Sequence, residues 1–337
     1  MQSEFPSLPA NWSGLTWQQL TVCWEAKIRY GGKPDVARAA ALLAILSLGV
    51  CSKVKVSTDG MTGEDVYNLS GNDGSIWTVT PRELSQLAKQ ALPWFDYPYG
   101  DPGDPAEKDE KGKVVRDPRD PVPGYVNPNF SDALALPKTE LNVDGIMFAL
   151  PQVACNNITW QQYRSIQATA SQLFAADISE EQAIDMQAQF LAHILVPGQP
   201  ANRLSDRFTP DHIFRYDAER AEQAVAFWNK KLSAENEKSE MIPSSTLFHI
   251  CLQTYQTAML YYEKVYPLLF SGNSKSDPLQ DALTGEIGTV NAVMMKANYH
   301  NQQEVYDSDL PFIFDILNTM TKEAKEIEKM NAKIKKK

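Results

Sequence analysis

Apolar positions along this chain fall mostly at three-to-four residue spacing, the period of an amphipathic helix. The helix starts are legible because one device recurs: a Ser or Thr where the apolar period begins, a Gln or Glu three residues on, and an apolar residue just before. Thr16 with Gln19 after Leu15, Thr80 with Glu83 after Val79, Thr159 with Gln162 after Ile158, and Ser179 with Gln182 after Ile178 all fit this capping box, which satisfies two orphan backbone donors reciprocally. Thr80-Pro81 and Thr209-Pro210 add proline at the first helical position, where its fixed φ suits the helix and its missing N–H costs nothing. Two of these openings are near copies. Leu15-Thr16-Trp17-Gln18-Gln19-Leu20 returns 143 positions later as Ile158-Thr159-Trp160-Gln161-Gln162-Tyr163, and the stretches they open end in the apolar runs LLAIL at 42–46 and FLAHIL at 190–195. The repetition predicts two related helical units on one chain.

Two short β signals interrupt the helical pattern. Val66-Tyr67-Asn68-Leu69, a turn at Gly71-Asn72-Asp73-Gly74, and Ile76-Trp77-Thr78-Val79 form the first; Leu141-Asn142-Val143, Asp144-Gly145 and Ile146 to Leu150 form the second. Asp-Gly between apolar residues is a type I′ hairpin signal. An isolated hairpin is marginal, so each must pack on helices. The fold class expected is mainly α with two small β-hairpins, an α+β arrangement of two helical units and a C-terminal amphipathic helix.

Between the units the character changes. Residues 98–130 hold seven prolines and five aspartates around the run AEKDEKGK, too little apolar surface to offset chain entropy. The expected organisation is an N-terminal helical unit with a hairpin over 1–97, a Pro/Asp-rich linker or surface loop over 98–137, a helical domain opened by a hairpin over 138–310, and a heptad helix with a lysine tail over 311–337. In the second half, helices are predicted over 180–195, 211–232, 246–266 and 286–300. Leu247, Cys251, Tyr255, Ala258, Tyr262 and Val265 share one face of the third, a partly aromatic stripe that reads as ordinary core.

The last helix carries the sharpest periodicity after the repeat. Ile313, Leu317, Met320, Ala324, Ile327, Asn331 and Ile334 are spaced as the seam of three coiled-coil heptads, with a single Asn at a core position of the kind that fixes register. These seven are the candidate partner-binding residues. Two readings stay open: self-association or docking on a partner helix, and packing of the seam on its own domain. Lys333, Lys335, Lys336 and Lys337 suit a helix C-terminus electrostatically and read as a solvated tail rather than an anion-binding element.

Composition bounds the function. A net charge of −10, from 42 acidic against 32 basic side chains, argues against a nucleic-acid-binding surface over the whole molecule. Cys23, Cys51, Cys155 and Cys251 lie far apart without CxxC spacing, which suits a reducing cytoplasm. The N-terminus lacks the features of a secretory signal, and no stretch of about 18 apolar residues exists to span a membrane.

Candidate chemistry is sparse. None of the four histidines, at 193, 212, 249 and 300, has a metal-ligand partner at HExxH or CxxC spacing. His193 and His249 read as hydrogen-bonded core residues. His300 with Glu304, Asp307 and Asp309 forms the one grouping that could assemble a hard-cation or acid/base site, though a turn before a helix collects such residues anyway. Gly31-Gly32-Lys33 lacks the upstream glycine and following Ser or Thr of a phosphate loop and reads as a helix end and turn; Ser52-Lys53-Val54-Lys55 matches S-x-x-K by letters only. Trp12, Trp17, Trp24, Trp160 and Trp228 read as core, because stacking on nucleic acid would want interleaved basic residues. No cofactor and no catalysis are expected.

The segment from Leu141 to about Phe174 resembles the start of tail assembly chaperones of tailed bacteriophages: a hairpin with a turn glycine, LNVDGIMFALP, then a capped helix, NNITWQQYRSIQATASQLF. FPSLPANWSGLTWQQLTVCWEAKIRYGG has the same style of helix opening without a hairpin before it. The resemblance covers about a third of the chain. It implies a helical protein of the host cytoplasm that coats the tape measure protein and recruits tail tube subunits, with neither catalysis nor cofactor. This chain departs from the family in its length, its two units, its linker and its heptad helix. The leading expectation is therefore a non-enzymatic phage morphogenesis protein that binds helical partners, with self-association into a homo-oligomer through the C-terminal helix as a second use of the same seam. The alternatives are a virion structural component, such as a connector or baseplate-associated protein, and a metal-dependent enzyme with a carboxylate site near His300.

Overall fold

A computed structural model describes residues 8, 12–30, 33–56, 64–71, 74, 76–95, 136–173, 178–200, 212–233, 242–270 and 278–334. The chain is mainly helical with two small three-stranded antiparallel sheets, an α+β fold, and it divides into two compact units at Pro137/Lys138. The expected linker lies almost wholly outside the described residues, as do Thr209-Pro210, Gly31-Gly32 and the final Lys335–Lys337.

In the N-terminal unit a 3-10 turn, Trp12–Gly14, leads into α1 (Trp17–Arg29) and α2 (Pro34–Ile45), which pack together. The capping box at Thr16 forms: Gln19 N donates to Thr16 Oγ1 at 3.3 Å and Thr16 N donates to Gln19 Oε1 at 3.0 Å. Then come β1 (Gly49–Val56), β2 (Glu64–Ser70) and β3 (Ile76–Val79), paired antiparallel in that order, and α3 (Pro81–Ala91), capped by Thr80 and Glu83. The sequence signalled β2 and β3 as a hairpin. The structure adds β1, so the hairpin is two-thirds of a sheet. Side chains of Ser52, Asn68 and Thr78 run across one face in a hydrogen-bonded ladder, and Leu69 is buried. The unit's core is an aromatic cluster in which Trp12 meets Trp24, Trp94 and Phe95 at centroid distances of 5.3–5.9 Å.

The C-terminal unit opens with β4 (Glu140–Val143) and β5 (Ile146–Ala149). Asp144 and Gly145 have φ of +50° and +82°, the type I′ geometry that the twist of a two-residue hairpin demands. The helices are α4 (Trp160–Leu173), α5 (Glu180–Ile194), α6 (Ala218–Ser233), α7 (Ser244–Val265), α8 (Pro267–Phe270), α9 (Pro278–Ala297), α10 (Gln302–Tyr306) and α11 (Leu310–Ile334). A third strand, β6 (Val196–Pro197), returns from α5 to pair with β5, and β7 (Gln199–Pro200) pairs with β8 (His212–Ile213). The helix expected from 211 thus begins at Ala218, because 212–213 are extended and Asp217 Oδ1 accepts from Arg220 N at 3.0 Å at the helix start. The helix expected over 286–300 spans 278–297 instead. The α7 stripe is buried at Leu247, Cys251, Tyr255, Ala258 and Tyr262, and only its last member, Val265, emerges at 43% exposure.

Candidate functional site

The predicted interaction residues lie on α11, and its position is set by the second Thr-Trp-Gln-Gln opening. Thr159 and Gln162 form their capping box at 3.2 and 3.4 Å. The strand-like residues before α11 then clip onto the same opening: Trp160 N donates to Ser308 O at 2.8 Å, and Leu310 N donates to Ile158 O at 2.9 Å. Gln162 is 2% exposed and also donates through Nε2 to His193 O at 2.8 Å, satisfying one of the carbonyls that the end of α5 leaves without a helical partner. One short sequence therefore caps α4, closes α5 and seats the start of α11.

The first half of α11 is core. Leu310 and Ile313 are fully buried, and Phe314, 3% exposed, meets Trp160, Tyr163, Tyr262, Tyr266 and Phe270 at 5.0–6.3 Å, mostly edge to face. Tyr266 Oη donates to Asp315 Oδ1 at 2.7 Å. Lys296 on α9 grips both carboxylate oxygens of Glu323, at 2.7 and 2.8 Å. Leu317 and Met320 are half-buried.

Beyond Glu323 the helix runs on in solvent. Every residue from Ala324 to Ile334 whose burial is described is exposed, including Ile327 at 54%, Met330 at 56% and Ile334 at 70%. The seam thus divides along one helix: Ile313, Leu317 and Met320 pack on their own unit, while Ala324, Ile327, Asn331 and Ile334 face water. Two contributors fall outside the seven-residue seam. Phe314 is the anchor, and Met330 widens the exposed stripe; the signal for each was an apolar residue directly beside a seam position.

The described residues of this unit form concavities on more than one side of α4 and α5. A groove of about 400 Å³ beside the aromatic anchor is lined by Trp160, Tyr163, Arg164, Phe270, Phe314 and Leu317 among others. A larger open groove of about 1110 Å³ runs between the first half of α5 and the end of α6, with Glu180, Glu181, Ile184, Asp185, Met186 and Lys230 in its lining.

The grouping around His300 is occupied with local structure. Glu304 accepts from His300 N and from Asn301 Nδ2, both at 3.1 Å, and Asp307 pairs with Arg215 at 3.0 Å while accepting from Gln303. Asp309 sits in the backbone bridge to Thr159. Among the described residues no group of three or more His, Cys, Asp or Glu side chains is placed to hold a metal ion. His193 Nδ1 lies 2.9 Å from Tyr216 Oη, and burial lowers the pKa of both His193 and His249. Burial pushes the thiols of Cys23 and Cys155 up to about 12 and raises that of Cys251, so these three are protonated core residues rather than nucleophiles. Among the described residues no helix is long and apolar enough to cross a membrane. No protein-family model, no curated protein and no solved structure matches this chain.

Proposed function

We propose that this protein is a non-enzymatic morphogenesis protein of a tailed phage, acting in tail assembly by offering an apolar helix face to long helical partners such as tape measure and tail tube proteins. The observation that carries the binding role is the exposed half of α11, where Ile327, Met330 and Ile334 form a contiguous stripe in water. Isolated surface hydrophobics are common, but a stripe at seam spacing on a projecting helix is the form that recognition of an amphipathic partner takes. The tail-assembly assignment is supported by the hairpin and capped helix, which form over the described residues 141–173.

Co-expression with a tape measure protein and affinity purification through either chain tests the reading. Recovery of a complex that an Ile327→Asp, Ile334→Asp variant no longer forms is expected. A full-length chain that stays apart from that partner at micromolar concentration contradicts it.

A further inference from the structure

The partner class proposed above leaves open what covers the exposed half of α11 when no other protein is present. Symmetric pairing of two such helices is opposed by the chain's own charges. A parallel pair sets Asn331 against its own copy, which is favourable, but brings two copies of a segment with a net positive charge side by side. An antiparallel pair that aligns 324 with 334 sets Asn331 against Ile327, burying an amide without a partner. The exposed seam is also only about one and a half heptads long, too short for a stable two-stranded coil.

The charge of the segment points elsewhere. Residues 322–337 carry seven lysines against three glutamates, a net +4 in a chain of −10, so residues 1–321 carry −14. A basic amphipathic helix on an acidic body is complementary to a second copy of that body. The groove between α5 and α6 supplies the matching features: Ile184 and Met186 are half-buried apolar side chains, and Glu180 and Glu181 are exposed at its rim. Asp185 is engaged with Gln189 and Asn229 at 2.7 and 2.9 Å, which holds the groove's wall in place. None of the lining belongs to α11.

We propose that the exposed half of α11 of one molecule docks in the α5–α6 groove of a second, with Ile327, Met330 and Ile334 against Ile184 and Met186 and with Lys333, at the edge of that stripe, against Glu180 and Glu181. Resting on the proposal that this helix face binds proteins, the inference names its occupant as a second copy. The contact is heterologous, because each molecule offers one helix and one groove, so association continues past the dimer unless the ring closes. The contact area is small, and the association is correspondingly weak and salt-sensitive.

Sedimentation equilibrium of the full chain, from about 1 to 200 μM in low salt, tests this. Monomer at the bottom of that range and mass beyond dimer at the top are expected, with association weakened about ten-fold or more in a Glu180→Lys, Glu181→Lys variant and also weakened in a Lys333→Glu variant. Mixing the two charge-reversed variants, each of which retains its complementary partner surface in the other, should restore association. Self-association unchanged by either variant overturns the proposal. So does a strict monomer at 200 μM, and so does a chain that stays monomeric yet binds phosphatidylserine vesicles through α11. Binding to a tape measure protein is expected to survive Glu180→Lys, Glu181→Lys, so the loss of self-association and the loss of partner binding are read separately.

Discussion

The same six-residue sentence opens a helix in each unit, and its two copies end in different circumstances. At Thr16 the capping box forms at the surface, with Gln19 half-buried and bonded to the cap. At Thr159 the identical box is sunk into the unit, Gln162 reaches across to α5, and the adjoining backbone holds the start of α11. Trp17 and Trp160 are alike in both burial, at 7% and 6%, and in having an indole N–H with no hydrogen-bond partner. Local sequence therefore fixes the helix start and the tryptophan's inward placement, while tertiary surroundings decide whether the opening merely caps a helix or becomes the seat for another. The wiring also differs. In the N-terminal unit the strand after the helix pair is followed by the hairpin it joins, whereas in the C-terminal unit the hairpin comes first and β6 returns to it.

The largest test of that contrast is the anchor seated on the second copy. Phe314→Ala removes the ring at the centre of the aromatic cluster and should cost about 3–5 kcal/mol in urea unfolding of the C-terminal unit; a loss below about 1 kcal/mol would mean that α11 is not held there. Next, Gln162→Ala should cost about 1–3 kcal/mol, because it removes the buried Gln162 amide and strips a donor from the part-buried His193 carbonyl, against about 0.5–1 kcal/mol for Gln19→Ala, where only a cap is lost. Equal losses would erase the distinction between the two openings.

A third test belongs to the N-terminal unit alone. Lys27 lies 4.9 Å from the centre of Phe95 and 5.8 and 5.9 Å from those of Trp12 and Trp24. Burial lowers its pKa to about 8 from 10.5, although the ring faces favour the charged form. Below pH 8 both folded and unfolded chains carry the charge and the folded state bears its desolvation; between 8 and 10.5 the unfolded chain binds more protons, so stability rises with pH. Cys23, raised by burial from 9.0 to about 12, works in the opposite direction above pH 9. Lys27→Met should therefore stabilise the unit most near pH 7, with the advantage shrinking toward pH 9; chemical denaturation of both proteins across that range checks it, and a constant difference would contradict it. The smallest effect is expected where exposure is greatest: Ile327→Asp should change unfolding stability by no more than about 0.5 kcal/mol.

Much of the fold was legible because it is written locally. All four capping boxes, the Asp144-Gly145 turn and the α7 stripe depend on residues within a few positions of one another. β1 escaped because its face is polar: Ser52 meets Asn68 instead of entering a core. β6 escaped because two residues after an apolar helical run read as more of the run. The start of α6 was misplaced by a proline at 210, while the effective cap was Asp217. The candidate site was half legible. Periodicity placed Ile313 through Ile334 on one seam, but an identical period runs through its buried and exposed halves, and only the neighbours that reach Phe314 and Glu323 divide them.

Hydrogen exchange along α11 in the dilute full-length chain tests the division most directly. Amides from Ile313 to Met320 are expected to exchange slowly, near the rate set by unfolding of the C-terminal unit, and those from Ala324 to Ile334 orders of magnitude faster, becoming protected only when a partner or a second copy is added. Uniform slow exchange from Ile313 to Ile334 in the isolated monomer would show that the far half is already covered and would contradict its role as an open binding face.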